Sequence, residues 1–412
     1  MTESRVPNPQ RYVTLDLIRG MAVMGILSVN IIIFATNQTA YMNPYALGTP
    51  SDGDLTLWAA NMLLVDGKFR SLFSMLFGAS MLLVMDRAEA GGASGPWTHV
   101  RRMVVLAVLG LMHAFLLWRG DILSAYALTG LVALIFARLE PVKMLVWAGL
   151  LAVMHIALFG AITATLVHQD QVAHSAQATA DIVRNWNANA SSVFPTAAGV
   201  AQDKAIYDGS WQAITAYEWS KRSAILFNNL VLMPDTLMLM LIGMAGYRSG
   251  FFTGQWDDAR YRKIALWGIG IGLSGHLVLV VADLMTRFYV PLVLGGFLAA
   301  MTPFRIAQTL GYAALFVLWS RRDSAAVRRV AAVGRTAFTN YIGTSIVCTA
   351  IFYGWGLGLY GDLDRVESWL VVPAVWALML LWSKPWLERF RYGPFEWLWR
   401  SLAKLRPQPM RR

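Results

Sequence analysis

The chain is short of charge and almost without cysteine. Only 14% of its 412 residues are Asp, Glu, Lys or Arg, whereas soluble domains carry about 25%, so a soluble globular fold is excluded. The single cysteine, Cys348, excludes an intramolecular disulfide framework and a multi-cysteine metal site. Phosphate-binding loops, dinucleotide fingerprints and zinc motifs are also missing. We therefore expect no bound metal.

Hydrophobic residues are instead abundant, at 57% of the chain, and they lie in long runs. A membrane-crossing helix needs roughly 20 mostly apolar residues. About ten such runs occur, near residues 15–34, 57–85, 103–119, 122–138, 142–167, 222–247, 262–282, 303–320, 336–356 and 368–386. The fold class predicted is all-α, a polytopic integral membrane helix bundle of about ten transmembrane helices. Residues 1–10 are polar and the first run is too long for a signal peptide, so we expect no cleavable leader.

Basic residues are concentrated in every second connection between these runs and in both terminal segments. Positive residues collect on the cytoplasmic side of membrane proteins, so both termini are predicted to be cytoplasmic. The same bias explains the net charge of +11. We therefore expect membrane lipids, and no nucleic acid, as partners of the basic surface.

Three regions follow from this pattern. Residues 1–168 form an N-terminal transmembrane half, 169–221 a polar extracytoplasmic cap, and 222–412 a C-terminal transmembrane half. The cap is either a substrate lid or a family-specific insertion. Residues 386–412 alternate Trp397 and Trp399 with arginines, which is typical of an interfacial anchor. A homodimer is left open.

Two stretches fit single straight spans poorly. Residues 54–85 are too long for one span and contain Asp66, Gly67 and Lys68, so we expect an outer interfacial helix, a break at Gly67 and a span that begins near Arg70. Residues 283–303 are apolar but interrupted by prolines and glycines. They predict either a re-entrant or interfacial piece or a pair of short spans.

The first span carries its charges only at its entry. Asp16 and Arg19 lie three residues apart and can pair on one helix face. No charge follows from Gly20 to Phe34, and the strongly polar side chain of that stretch is Asn30. The pair either anchors the helix or orients it at the floor of a cytoplasmic binding site.

Several motifs resemble the YeiB family of bacterial membrane proteins. They are residues 11–30 (RYVTLDLIRGMAVMGILSVN), 68–78 (KFRSLFSMLFG), 120–127 (GDILSAYA), 334–341 (GRTAFTNY), 353–358 (YGWGLG) and 393–400 (GPFEWLWR). The motifs cover both ends of the chain and most of its middle, apart from the cap. The resemblance implies a multi-pass protein of the bacterial inner membrane.

That family is similar in its first helix to transmembrane acyltransferases, namely heparan-glucosaminide N-acetyltransferase and bacterial O-acyltransferases of surface glycans. The similarity implies transfer of an acyl group from cytoplasmic acyl-CoA, such as acetyl-CoA, to an extracytoplasmic acceptor. The O-acyltransferases end their first helix with a histidine, where this chain has Asn30. The heparan enzyme has its catalytic histidine in the first outer loop, and residues 35–54 contain none. An acyltransferase built on this chain therefore needs its base elsewhere.

Ionisable residues within membrane spans are expensive and mark functional sites. His113 in the third span is the best candidate for a general base, with Asp121 to orient it and Asn30 as a third catalytic residue. The two ionisable residues are eight apart and cannot touch within one straight helix. The predicted topology gathers further candidates for substrate binding in the same outer half: Asp66, Lys68, Arg70, Arg119 and His276. Serines within spans, Ser345 among them, have no recognisable nucleophile context.

The cytoplasmic half offers basic residues that can hold the phosphates of acyl-CoA. The candidates are Arg19, Arg101, Arg102, Arg335 and Asn340. Gly334 permits close approach before a helix start that attracts anions. The competing interpretation is that these residues only obey the positive-inside rule.

The sequence thus favours a membrane acyltransferase that moves an acyl group from cytoplasmic acyl-CoA to an outer hydroxyl or amine, on a glycan or a lipid-linked molecule. The alternative is a transporter for a small or lipid-linked solute, which the irregular residues 283–303 fit. A non-catalytic scaffold or sensor is the third interpretation, and it does not require His113 to be buried among charges.

Overall fold

The computed structural model describes residues 13–412, and all regular elements within them are helical, as predicted. Residues 1–12, to which the expected cytoplasmic N-terminus and the lack of a leader refer, lie outside the described residues. The helices are α1 (Val13–Ala35), α2 (Thr39–Met42), α3 (Asp52–Leu64), α4 (Lys68–Ala90), α5 (Gly95–Leu116), α6 (Leu123–Ala133), α7 (Pro141–Ala173), α8 (Ala180–Ala190), α9 (Ala197–Tyr207), α10 (Trp211–Ser220), α11 (Arg222–Val231), α12 (Met233–Arg248), α13 (Asp258–Met285), α14 (Val290–Gly295), α15 (Thr302–Ser320), α16 (Ala325–Arg335), α17 (Ala337–Phe352), α18 (Arg365–Trp369), α19 (Val371–Arg389) and α20 (Pro394–Lys404). A 3₁₀ turn at Leu134–Phe136 extends α6, and a π-helical turn at Gly296–Ala300 extends α14.

The helices have the length and composition of a membrane bundle. Within residues 13–412, six helical stretches are long and apolar enough to cross a membrane, and two bent pairs raise the number to eight. Two shorter apolar helices, Leu123–Phe136 and Ala337–Phe352, coincide with the fourth and ninth predicted spans. Outer helices expose large apolar side chains, such as Val153 on α7 and Leu266 on α13, at 68% and 72%, which is typical of surfaces that face lipid. The count of ten spans and the side of each terminus stay predictions.

Two spans are broken where a proline restarts the helix. α11 and α12 meet at an angle of 47°, and α14 with its π turn meets α15 at 50°. Pro234 and Pro303 occupy the first turns of α12 and α15. Proline has no N–H to donate and disfavours helical backbone in the residue before it, so each span stops and begins again. The bend fits either a broken span or a re-entrant piece, so both alternatives for residues 283–303 stay predictions.

The predicted break at Gly67 is also present. α3 ends at Leu64 and α4 begins at Lys68, and Gly67 between them has φ +68°. This left-handed conformation costs glycine little and other residues more. The break interrupts a stretch, Asp52–Ala90, that is otherwise one apolar helical run of 39 residues.

Glycines bring three pairs of helices into backbone contact: α1 with α16, α4 with α12, and α13 with α15. A Cβ atom at Gly334 would lie 1.8 Å from a carbonyl oxygen of α1, and one at Gly243 would lie 1.8 Å from a carbonyl oxygen of α4. A Cβ at Gly268 would lie 2.5 Å from a carbonyl oxygen of α15. Small residues at such positions let membrane helices pack closely. The close approach expected at Gly334 thus serves a neighbouring helix.

Helices α8 to α10 form a cap (Ala180–Ser220) over one end of the bundle, here called the cap side. The backbone N–H of Gly354 donates to the carbonyl of Tyr207 at 2.8 Å, and the indole of Trp211 donates to the carbonyl of Leu116 at 2.8 Å. The cap therefore contacts the ends of α5 and α17. The opposite end, which holds α20, is called the tail side.

α20 folds back against the bundle on the tail side. Its Glu396 accepts the backbone N–H groups of Phe338 and Thr339 at 2.7 and 3.1 Å and the Thr339 hydroxyl at 2.6 Å. These are orphan donors at the start of α17, where a negative charge is favourable. The indole of Trp399 donates to the carbonyl of Arg102 at 2.8 Å. α20, which lies in the predicted interfacial anchor, therefore joins the start of α17 to α5.

Candidate functional site

The central feature of the cap-side half is a buried chain of three polar side chains. His113 Nδ1 lies 2.9 Å from Asp121 Oδ1, and His113 Nε2 lies 2.9 Å from Ser345 Oγ. The side chains of His113 and Asp121 are each 1% exposed. α5 ends at Leu116 and the chain turns back before α6, which is why two residues that cannot touch within one straight helix form a hydrogen bond.

Two backbone N–H groups donate to Asp121, and its contacts bear on the tautomer of His113. The carboxylate also accepts the N–H groups of Leu123 and Ser124, at 3.0 and 2.8 Å. An ionised carboxylate can only accept, so Nδ1 of a neutral His113 carries the hydrogen. Nε2 then presents its lone pair to the Ser345 hydroxyl. Ser345, which no sequence pattern singled out, therefore lies next to a nitrogen that can accept its proton.

Tyr341 holds the loop that carries Asp121. Its hydroxyl accepts the N–H of Ile122 at 3.2 Å and donates to the carbonyl of Gly120 at 3.3 Å. Gly120 and Ile122 in turn line the larger of two cavities. The hydrogen-bonded chain therefore lies directly behind the wall of that cavity.

The larger cavity has a volume of about 250 Å³ and lies between the broken spans. Of the residues predicted from sequence, Asn30, Asp66, Arg70 and His276 line it. Further ionisable residues in its wall were not selected: Tyr41, His155, Asp235, Asp283 and Arg305. Lys68 and Arg119 do not line it.

Two arginines in the cavity wall share one aspartate. Arg70 Nη2 lies 2.5 Å from Asp235 Oδ2, and Arg305 donates to both oxygens of the same carboxylate, with Nη1 at 3.3 Å from Oδ2. Asp235 is 2% exposed, Arg305 11% and Arg70 33%. All three residues belong to the first turns of helices that begin at breaks, namely α4, α12 and α15. Helix N-termini attract anions, so this part of the wall favours a negatively charged ligand group.

Two histidines in the wall of the same cavity each use one ring nitrogen in a hydrogen bond to a backbone carbonyl. His155 Nε2 lies 2.8 Å from the carbonyl of Leu298, and His276 Nδ1 lies 2.7 Å from that of Gly272. A carbonyl only accepts, so these nitrogens donate and the remaining nitrogens have lone pairs. Within residues 13–412, His155 Nδ1 and Asp283 Oδ1 are buried without a hydrogen-bond partner. This wall therefore offers acceptors to a ligand with hydroxyl or amine groups.

Asp66 and Lys68 have mainly structural partners. Asp66 accepts the hydroxyl of Tyr41, and the ammonium of Lys68 donates to the carbonyl of Met62. Lys68 is fully buried. Lys68 therefore points into the α3–α4 break and does not line the larger cavity, and its role in substrate binding stays a prediction.

Arg119 lies beneath the cap instead of in the cavity. Its guanidinium carbon is 5.3 Å from the ring centre of Tyr207, whose hydroxyl donates to Glu218 at 2.5 Å. Burial raises the pKa of Glu218 above its ordinary range, by more than the Tyr207 hydroxyl and Arg119 lower it. Arg119 thus forms a contact between the bundle and the cap, and its role in substrate binding stays a prediction.

A second, smaller void of about 10 Å³ lies beside Ser345, which is room for about one water molecule. Ile26, Asn30 and Trp118 line both this void and the larger cavity. Among the described residues, Asn30 makes no side-chain hydrogen bond, and the buried Nε1 of Trp118 has no acceptor. Two free donors thus stand between Ser345 and the larger cavity.

On the tail side, the predicted coenzyme residues are partly occupied by the protein. Arg19 pairs with Asp16 at 3.2 Å, as predicted, and donates to Ser80 at 2.7 Å. The guanidinium of Arg102 lies 4.0 Å from the ring centre of Trp399 and is repelled by Arg400 and Arg19. This clustering of like charge favours an anion.

Asn340 and the helix start beside it have internal partners. The amide nitrogen of Asn340 donates to Val333, Thr336 and Ser383, and its oxygen accepts the indole of Trp382. The helix start that we expected to attract a phosphate binds Glu396. Arg335 also has an interaction within the protein, and Nε of Arg101 is buried without a partner in the described part of the chain.

The residues that sequence reasoning missed fall into two groups. Asp235 and Arg305 are charges inside predicted spans, one and two positions after a proline, and the rule that selected His113 would also have found them. Ser345 gave no signal, because its meaning depends on a histidine 232 positions away. No group of three or more His, Cys, Asp or Glu side chains within residues 13–412 is placed to hold a metal ion.

Comparisons with known proteins place the chain among bacterial relatives. The model of a family described as a protein of unknown function (DUF418) matches residues 246–406. The uncharacterized protein YeiB of Escherichia coli (strain K12) is 32% identical, over 96% of this chain and 96% of its own length. The uncharacterized protein YxaH of Bacillus subtilis (strain 168) is 32% identical over 97% and 96%, respectively. An uncharacterized 39.9 kDa protein in the amylase 3′ region of Bacillus acidopullulyticus is 23% identical over 97% and 96%. No solved structure matches the chain.

Proposed function

The chain belongs to the YeiB family of bacterial membrane proteins, and from this premise we propose that it is an acyltransferase of the inner membrane. It takes an acyl group from cytoplasmic acyl-CoA, with acetyl-CoA as the simplest donor. It delivers the group to a hydroxyl or amine of an extracytoplasmic acceptor, on a glycan or a lipid-linked molecule.

The observation that carries the proposal is the placement of His113. A neutral imidazole whose Nδ1 hydrogen is held by a carboxylate is a positioned general base at Nε2. Asp121 also stabilises the imidazolium that forms when Nε2 takes a proton. A scaffold or sensor has no need for an ionised carboxylate and a histidine buried together in a membrane bundle, where both are costly.

The larger cavity fits the acceptor. Arg70 and Arg305 have more donors than Asp235 can accept, so they can also hold a carboxylate or phosphate of the acceptor. His276, His155 and Asp283 offer lone pairs to its hydroxyl groups. The cavity therefore suits an acceptor that is both polar and anionic.

The donor fits the tail side. Arg19 and Arg102, with Arg101 beside them, supply the positive charge that CoA phosphates require. Ser345 is eight residues after the first residue of α17, or about 12 Å along that helix. The pantetheine arm of acyl-CoA is long enough to cover such a distance between these arginines and the buried chain.

The test uses inverted membrane vesicles from cells that express the protein, because their cytoplasmic face is accessible to added substrate. Radiolabelled acetyl-CoA is supplied, and label in the glycan and lipid fractions is measured. Replacing the general base by His113→Ala should lower incorporation by at least about 100-fold. The matched control is His99→Ala, since His99 is also buried but only bonds the carbonyl of Gly130.

Binding of acetyl-CoA and of free CoA to the purified protein is measured in parallel by calorimetry. Arg101→Gln should weaken both, whereas Arg329→Gln, an exposed arginine on α16, should not. Folded protein that neither binds acetyl-CoA nor transfers label would remove the proposal.

The broken spans favour one second candidate, a transporter for an anionic or lipid-linked solute. Interrupted helices whose half-helix ends surround a charged cavity are typical of secondary transporters. In proteoliposomes, a transporter would move solute at the same rate in the His113→Ala variant and would be stopped by Arg305→Gln. An acyltransferase requires His113 in every assay.

A further inference from the structure

We propose that Ser345 is the nucleophile of a two-step transfer and is itself acylated during each cycle. The proposal rests on the proposed acyl transfer and goes beyond it, since a general base alone would act on the acceptor directly. It also defines the acyl group as a short one.

The geometry of the hydrogen-bonded chain supports a covalent step. Ser345 Oγ lies 2.9 Å from the lone pair of His113, and His113 lies 2.9 Å from Asp121. A serine, its base and a carboxylate that orients the base form the constellation that activates hydroxyl nucleophiles on unrelated folds. The helical carbonyl of Tyr341 is a poor competitor for the serine proton at 3.4 Å.

The void beside Ser345 has what a developing oxyanion needs. Trp118 is 2% exposed, and its indole N–H has no acceptor among the described residues. The Asn30 amide, also without a partner, lines the same void. Donors that are already fixed in a site without bulk water stabilise an oxyanion strongly. This gives Asn30 a role that does not require it to replace a histidine.

The size of the void limits the acyl group. At about 10 Å³ the void has room for a single water-sized group, such as the methyl or the oxygen of an acetyl group. The rest of its wall is formed by Val23, Leu27, Phe34, Tyr341 and Thr344. A long acyl chain would have to extend into the larger cavity, past Ile26, Asn30 and Trp118. We therefore assign the donor as a short-chain acyl-CoA.

The transfer has two steps, acylation of Ser345 and transfer of the acyl group to the acceptor. In the first, Ser345 Oγ attacks the thioester carbonyl, His113 Nε2 takes the serine proton and returns it to the leaving CoA sulfur, and an acyl ester forms on Ser345. In the second, the acceptor hydroxyl or amine attacks that ester and His113 takes its proton. The proton passes back to Ser345 Oγ as the ester bond breaks, which restores the enzyme.

The experiment traps the ester. The full-length protein in detergent is mixed with radiolabelled acetyl-CoA and no acceptor, quenched in acid, and analysed by peptide mass spectrometry. We expect label on the peptide that contains Ser345, removable by hydroxylamine, and none in the Ser345→Ala variant. Ser345→Ala should also lower transfer in inverted vesicles by at least about 1,000-fold. Ser74→Ala, a buried serine that bonds Tyr126 on the other side of α6, is the matched control.

The outcomes separate this inference from the proposed function. If Ser345→Ala transfers label at the wild-type rate while His113→Ala does not, the serine is not a nucleophile and acyl transfer still holds. If folded wild-type protein shows neither ester nor transfer, both fall together. Should Ser345→Ala fail to fold, Ser345→Cys replaces it, and the inference then requires a thioester on Cys that hydroxylamine cleaves faster than the serine ester.

Discussion

The two ends of the bundle use their charges differently. On the tail side, Asp16 pairs with Arg19 near the surface, and Glu396 and Asn340 have protein partners for their polar atoms. On the cap side, charges are buried at helix breaks around a cavity, and several polar atoms have no partner. The difference teaches that charge count alone does not locate a site in this protein.

The largest difference in stability is expected between variants of the two aspartates that pair with arginine, Asp235 and Asp16. Asp235→Asn leaves Arg70 and Arg305 without a counter-charge in a buried wall, which should cost about 3–5 kcal/mol. Asp16→Asn removes a partly exposed pair and should cost at most about 1 kcal/mol. Thermal unfolding in detergent measures both. Equal losses would show that the cavity wall is as well hydrated as the helix foot.

A smaller contrast is expected between two asparagines. Asn340→Leu leaves four hydrogen-bonding groups without their partner and should lower stability by about 1–3 kcal/mol. Asn30 makes no side-chain hydrogen bond within residues 13–412, so Asn30→Leu should leave stability unchanged or raise it. The same Asn30→Leu variant should lose acyl transfer, because it removes a donor beside Ser345.

The unfolding midpoint in detergent and the rate of acyl transfer in vesicles are measured for both Asn340→Leu and Asn30→Leu. A destabilised Asn30→Leu protein would mean that the amide has a structural task. A stable and fully active one would remove Asn30 from the site.

The smallest effect concerns pH and the cap. The pKa of Glu218 is raised by burial, so its protonated form is favoured in the folded protein. The stabilisation from this group is therefore complete below the ordinary pKa of glutamate and is lost as pH rises through the raised value. Glu218→Gln keeps an acceptor for Tyr207 but cannot titrate.

We expect the wild-type protein to lose stability relative to Glu218→Gln as pH rises from about 4.5. Hydrogen exchange of the α9 and α10 amides across this range is the measurement. On the tail side, burial also raises the pKa of Glu396, although the hydrogen bonds from Thr339 and Phe338 lower it. The pH dependence of stability in Glu396→Gln is therefore compared with that in Glu218→Gln. Parallel pH curves for wild type and Glu218→Gln would contradict the prediction.

Much of the fold could be predicted, because membrane helices reveal themselves through composition alone. The break at Gly67 and the bent segment after Asp283 could be read from glycine and proline. The bend before Pro234 was not predicted, although the same proline rule applies to it. The sequence carries local backbone preferences, and these govern such breaks.

The site was predictable only in part, for a physical reason. His113 and Asp121 could be identified as costly groups in apolar surroundings, but their contact depends on where α5 ends. Ser345 and Glu396 depend on contacts between distant helices, which no local pattern records. Arg119 and Lys68 do not line the larger cavity, because a charge near a site in sequence can point away from it in space.

The glycine contacts have a mechanical consequence. Helices whose backbones touch have little room to slide or roll past one another, so we expect α1 with α16, α4 with α12, and α13 with α15 to move as three rigid helix pairs. Residues of α1, α4, α12, α13 and α15 line the larger cavity, which therefore lies at the interfaces between these pairs. We expect a motion that opens or closes the cavity to displace whole helix pairs, with the bends before α12 and α15 as hinges. A bulky residue at Gly243 would separate α4 from α12 and should disturb the cavity without touching any group that lines it.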